Sequence, residues 1–117
     1  MSLETINNVL SLSKTTRSQR LMLMILAHHA DRHGVCWPSI PTLADEMNVA
    51  PRNASAILGK LRKNGEVIIV PGGGRKRSNT YLITLGQSPE EIANTLETLP
   101  SINPDRIIRV YTWIIRV

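Results

Sequence analysis

Residues 39–85 constrain this chain more than any other stretch. Ser39 is a helix-capping residue and Pro41 falls in the first turn after it, where a missing N–H costs little. Leu43, Ala44 and Met47 then recur at i, i+1, i+4, so a short helix with one apolar face is predicted over residues 40–47. Asn48-Val49 reads as a tight turn. Pro51 opens a second helix that runs to about Lys63 and stops before Asn64-Gly65, with Ala54, Ile57, Leu58 and Leu61 facing inward. Residues 67–70 and 80–85 are β-branched or apolar runs around Pro71-Gly72-Gly73-Gly74-Arg75-Lys76-Arg77-Ser78, which is the pattern of a hairpin with a basic, glycine-rich tip.

Charge is concentrated in the same place. The 117 residues carry a net charge of +5. Residues 51–77 hold seven of the fourteen basic residues (Arg52, Lys60, Arg62, Lys63, Arg75, Lys76, Arg77) and a single acidic one, Glu66, so the rest of the chain is close to neutral. Such a placed positive charge favours a polyanionic partner. With the core-facing residues of the second helix assigned, its outward face is Arg52, Asn53, Ser55 and Ala56, then Gly59, Lys60 and Lys63. Small residues let a helix backbone approach the floor of a DNA major groove. Arg52 and Asn53 suit guanine and adenine edges, while Lys60 and Lys63 suit phosphates. The glycines free the hairpin tip, and Arg75, Lys76 and Arg77 make it phosphate- or minor-groove-seeking. The tip lacks the order Gly, four residues, Gly-Lys-Ser/Thr of a nucleotide-binding loop.

The remaining elements are read from spacing. Ser2 caps a predicted helix over 2–12 with Leu3, Ile6, Val9 and Leu10 on one side, and residues 11–16 form a polar connector. A long helix is expected over 17–32, with Leu21, Met24, Ile25 and His28 on one stripe, Leu23, Leu26, Ala27 and Ala30 broadening it, and Gly34 ending it. Ser88-Pro89-Glu90-Glu91 begins another helix that reaches about Leu99 and is interrupted by Pro100. Residues 104–117 keep helical spacing but are rich in β-preferring Ile, Val, Thr, Tyr and Trp; the spacing favours helix.

The order of elements, together with Leu26-Ala27-His28-His29-Ala30-Asp31, Cys36-Trp37-Pro38-Ser39-Ile40, Thr42-Leu43-Ala44, Val49-Ala50-Pro51-Arg52, Leu61-Arg62-Lys63-Asn64-Gly65 and Asn79-Thr80-Tyr81, resembles the winged helix–turn–helix superfamily over about residues 17–85. The likeness is strongest to small domains of plasmid and phage replication initiators and bacterial regulators. It implies a mainly α fold with a small β-hairpin wing, a supporting helix that meets a phosphate through Thr42, base reading by Arg52, Asn53, Ser55, Ala56 and Lys60, and backbone contact by Arg75, Lys76 and Arg77. Two departures stand out. Ala50 occupies a cap position usually held by Ser or Thr, and Ala56 and Gly59 sit where long basic residues are common, which shifts affinity toward the wing, DNA shape or a second subunit.

Other constellations carry less. His28, His29, His33 and Cys36 have partial zinc spacing but lack a fourth paired ligand, and His28 on the apolar stripe reads as a buried core histidine, so no metal or cofactor is expected. Trp37-Pro38 reads as a packing anchor over the core, a base-stacking platform being the alternative. No nucleophile–base or paired-carboxylate arrangement suggests catalysis. No apolar run approaches the ~20 residues of a membrane helix, and a single cysteine fits a reducing, cytoplasmic setting.

These readings divide the chain into an N-terminal helix and connector (1–16), a winged helix–turn–helix domain (17–85) and a C-terminal extension (86–117). They point to double-stranded DNA as partner, in a prokaryotic cell in association with nucleoid or plasmid. The expected role is transcription regulation, or plasmid or phage replication or maintenance, with a partition adaptor on repeated centromere sites as a variant. The apolar tail predicts a homodimer through residues 2–12 and 88–117, or a protein partner for the C-terminal extension. A protein-docking module is the competing class, disfavoured by the basic segment where apolar residues would be needed.

Overall fold

The computed structural model describes residues 2–72 and 78–99. The order of elements is α1 (Leu3–Leu12), α2 (Arg17–His29), β1 (Val35–Cys36), α3 (Ile40–Met47), α4 (Pro51–Asn64), β2 (Val67–Val70), β3 (Thr80–Ile83) and α5 (Pro89–Thr98). The chain divides into two units, one ending at Gly86 and one beginning at Gln87. The expected helix over 104–117 and the basic tip Arg75, Lys76 and Arg77 lie outside the described residues.

Local chemistry sets most helix ends. The Ser2 hydroxyl accepts from the Thr5 amide at α1, and Ser39 and Ser88 do the same for Thr42 and Glu91 at α3 and α5. Both α3 and α4 carry proline in their first turn. α4 ends on Gly65, whose φ of 81° is a left-handed conformation that costs other residues a Cβ clash.

α2 stops earlier than its apolar spacing suggests. Its C-cap is Ala30, after which the chain turns on Asp31, whose carboxylate accepts from the His33 and Val35 amides at 2.8 and 3.1 Å. Gly34 belongs to this turn, with a φ of 81°, rather than to the helix end. The turn delivers a strand that spacing did not reveal. β1 is two residues long and pairs antiparallel with β3, Val35 opposite Leu82 and Cys36 opposite Tyr81. β2 pairs with the other edge of β3, Val67 opposite Ile83 through Val70 opposite Thr80. The expected hairpin is therefore part of a three-stranded sheet of order β1-β3-β2.

The core of the first unit lies between α1–α4 and the sheet. Met22, Leu23, Leu26, Leu43, Leu61, Tyr81 and Ile83 are fully buried within it, each such aliphatic side chain contributing about 1.5–3 kcal/mol of burial. Two predicted faces are rotated. In α1 the buried residues are Thr5 and Val9, while Leu3 (68% exposed) and Leu10 (52%) face solvent. In α2 the buried set is Met22, Leu23, Leu26 and Ala27; Leu21 and His28 are exposed, so His28 is not the core histidine its spacing implied. α2 is apolar nearly all the way round between Leu21 and Ala27. Its neighbours α1, α3, α4 and the sheet decide which residues are covered.

Glu66 holds the connector in place. Its carboxylate accepts from the Ser13 hydroxyl at 2.6 Å and the Lys14 amide at 3.1 Å, and Thr15 is buried beside them, bonded to Ser13. Glu66 lies between α4 and β2, so this acid ties the α1–α2 junction to the start of the wing. In the second unit, α5 carries Glu90 and Glu91 in its first turn and buries Ile92 and Leu96.

Candidate nucleic-acid interface

The supporting helix α3 is anchored at both ends. The Ser39 hydroxyl takes the Thr42 amide at 3.2 Å and shares a hydrogen bond of 2.8 Å with the Thr42 hydroxyl. At the far end Asn48 adopts the left-handed region (φ 60°), with its amide directed to the Ala44 and Asp45 carbonyls. Asn tolerates this conformation better than most side chains do. Glu46, on the outer side of α3, meets His29 of α2 at 2.7 Å.

From this turn α4 leaves with Ala54, Leu58 and Leu61 buried and Ile57 partly so. Every predicted reader on it is exposed: Arg52, Asn53, Ser55, Ala56, Lys60 and Lys63, together with Gly59. At 3.6 residues per turn, Arg52, Ala56, Gly59 and Lys63 fall along the middle of the outward face. Asn53 and Lys60 flank that stripe on one side, and Ser55 and Arg62 on the other. Arg62 was missing from the readers expected on sequence; its exposure beside Ser55 adds a cation to that flank. Two cations thus bracket a shallow centre of Ala and Gly. Addition of a Cβ at Gly59 meets nothing within 4 Å. The Arg52, Lys60, Arg62 and Lys63 side chains make no ion pair among the described residues, so their charge is directed to solvent.

The first turn of α4 lacks the side-chain cap that α3 has. Ala50 is the N-cap and no side chain accepts there. The Asn53 and Ala54 amides both reach the Ala50 carbonyl. Thr42 is exposed near the start of α3, its hydroxyl engaged with Ser39. At the root of the wing the Gly72 amide donates to the Asn79 side-chain carbonyl at 3.3 Å; the expected contacts Arg75, Lys76 and Arg77 lie outside the described residues.

One expectation changes here. Trp37 is not a packing anchor: 65% of it is exposed, while Val35 and Cys36 just before it are buried. The zinc candidates separate. His29 is paired with Glu46, Cys36 is buried in β1, and no group of three or more His, Cys, Asp or Glu among the described residues is placed to hold a metal. Burial, helped by the charge of Asp31, pushes the Cys36 thiol up to about 12, which leaves it protonated and unreactive at neutral pH. Burial also raises the hydroxyl of Tyr81, which stands opposite Cys36 in the sheet.

The segment from the cap of α2 to the cap that ends α4 is the part with recognisable kin. Residues 16–65 match a family model described as a helix-turn-helix domain. This chain carries a helix–turn–helix domain. With β2 and β3 following α4, its fold is that of a winged helix–turn–helix, which suggests DNA binding. The match spans α2, β1, α3 and α4 and ends where the wing begins. Neither a curated protein nor a solved structure matches the chain. No described helix is long and apolar enough to cross a membrane.

Proposed function

We propose that this protein binds double-stranded DNA with sequence preference, laying α4 in the major groove and the wing on the adjacent backbone. The observation that carries this reading is the outward face of α4, fully exposed and built of Arg52 and Lys63 around Ala56 and Gly59. The small centre admits the helix backbone to the groove, Arg52 and Asn53 read base edges, and Lys60, Arg62 and Lys63 meet phosphates. Its place is in transcription control or in replication or maintenance of a plasmid or phage, with no catalytic step.

The protein acts as a homodimer in this reading. Support comes from the exposed apolar residues Leu3, Leu10 and Leu12 of α1 and Leu21 of α2. A second copy would remove that apolar surface from water, and a two-fold dimer matches a palindromic pair of half-sites.

Selection of duplexes from a random pool at two salt concentrations tests both parts. An enriched motif supports base readout, and a palindrome within it supports the dimer. Retention without enrichment leaves only non-specific coating, and no retention at low salt removes the DNA reading. Sedimentation that returns a monomer at high protein concentration removes the dimer.

A further inference from the structure

Trp37 is the one large aromatic side chain exposed among the described residues, and the topology puts it at a particular place. β1 runs antiparallel to β3, so its last residue, Cys36, lies opposite Tyr81, near the start of β3. On the other side of β3 the last pair before the wing is Val70 with Thr80. Trp37 therefore leaves the sheet at the end where the wing is rooted, close to the Gly72–Asn79 hydrogen bond. Two residues later Ser39 caps α3, and Thr42 is exposed in the turn that follows. Position 37 lies between the start of α3 and the wing root, at the end of the sheet near both elements proposed to meet DNA.

The chain also holds it stiffly. A residue before proline is confined to extended backbone, and Pro38 is followed at once by the Ser39 cap. Only the two side-chain torsions of Trp37 remain to be ordered on binding. An exposed indole gains free energy when its ring is covered, and its N–H is a donor with no acceptor function. Deoxyribose carbons beside phosphate oxygens satisfy both needs.

We propose that Trp37 is a DNA contact, an aromatic plate closing on the sugar–phosphate backbone between the stretch met by α3 and the stretch met by the wing, with its indole N–H donating to a phosphate. This rests on the duplex-binding reading above. The contact is neutral, so it adds affinity without adding to the salt dependence that the cations of α4 and the wing impose.

The test follows binding and the indole separately. Binding is read from the anisotropy of a labelled duplex, either the enriched sequence or a random one. The environment of Trp37 is read from tryptophan emission and acrylamide quenching in a Trp113→Phe chain, where it is the sole emitter. The full-length wild type minus Trp37→Phe difference gives the same signal should Trp113→Phe fail to fold. The expected result is a change in emission and loss of acrylamide access on saturation with duplex. Trp37→Ala should bind about tenfold more weakly, with the thermal midpoint and the slope of log affinity against log salt retained. Duplex binding with Trp37 still open to acrylamide and with Trp37→Ala as tight as wild type overturns this contact alone. Absence of any duplex binding by wild type at low salt overturns it together with the reading on which it rests.

Discussion

α3 and α4 are joined by residues 48–50 and turn apolar faces to the same core, Leu43, Ala44 and Met47 from one and Ala54, Leu58 and Leu61 from the other. Their outer faces differ in sign. α3 exposes Thr42, Asp45 and Glu46, with Glu46 spent on His29; α4 exposes Arg52, Lys60, Arg62 and Lys63 without an ion pair among the described residues. Their starts differ as well, closed by a serine hydroxyl in α3 and left without a side-chain cap in α4. One helix is capped at both ends and tied on its outer side through Glu46. The other is held by its inner face and, at its last residue, by the Asn64–Gln19 hydrogen bond of 2.6 Å, and leaves its basic outer face open to solvent. Packing thus makes the two helices alike, and surface chemistry separates them, in line with the proposed roles of support and reader.

Mutations can break or sharpen that contrast, starting with the inner faces where the helices should behave alike. Leu43→Ala and Leu61→Ala each empty a fully buried site and should each cost about 2–5 kcal/mol in denaturant unfolding. A loss under 1 kcal/mol for either would mean that helix is not held by the shared core. On the outer faces the helices should part company. Arg52→Ala should weaken duplex binding by about 1–3 kcal/mol and relax selection at one base step, whereas Asp45→Ala should not weaken it. Equal losses from the two would end the distinction between reader and support.

The caps allow a smaller and opposite pair of changes. Ser39→Ala should lower stability by about 1 kcal/mol, and Ala50→Ser should raise it by a similar amount or somewhat less. Thermal midpoints moving in the same direction would show that the first turn of α4 already has its partners. Gly59→Ala is the finest probe. The site is open and helical, so alanine should stabilise the fold by about 0.5–1 kcal/mol. If α4 approaches the groove floor at Gly59, duplex affinity falls while stability rises. Unchanged affinity would place the close approach elsewhere on the helix.

Much of the domain was legible in the chain because its signals act within a single turn. Ser39, Pro41 and Asn48 bound α3, and Pro51 and Gly65 bound α4, each through a hydrogen bond or a backbone torsion of its own neighbourhood. The exposed residues of α4 followed once its four core residues were assigned, since a helix has one inside and one outside. β1 was hidden because two residues carry no period; the strand exists because the edge of β3 accepts it. The anchoring by Glu66 was hidden because Ser13 is 53 positions away in the chain. In α1 and α2 there were more apolar residues than a core of this size could cover, so spacing alone selected Leu3, Leu10, Leu21 and His28 for faces that face water instead.

The chain by itself determined where α3 begins and ends and where α4 begins, which face of α4 turns outward, and that its positive charge gathers on residues 51–77. Caps, proline, glycine and helical period act over a few residues and need no distant partner. The tertiary structure alone decided which side of α1 and α2 is buried, that a short third strand completes the sheet, and that Trp37 stands in solvent beside the wing root. Those outcomes depend on competition for a finite buried volume. Val35, Cys36, Tyr81 and Leu82 are buried in the sheet, and Trp37, just beyond β1, is exposed.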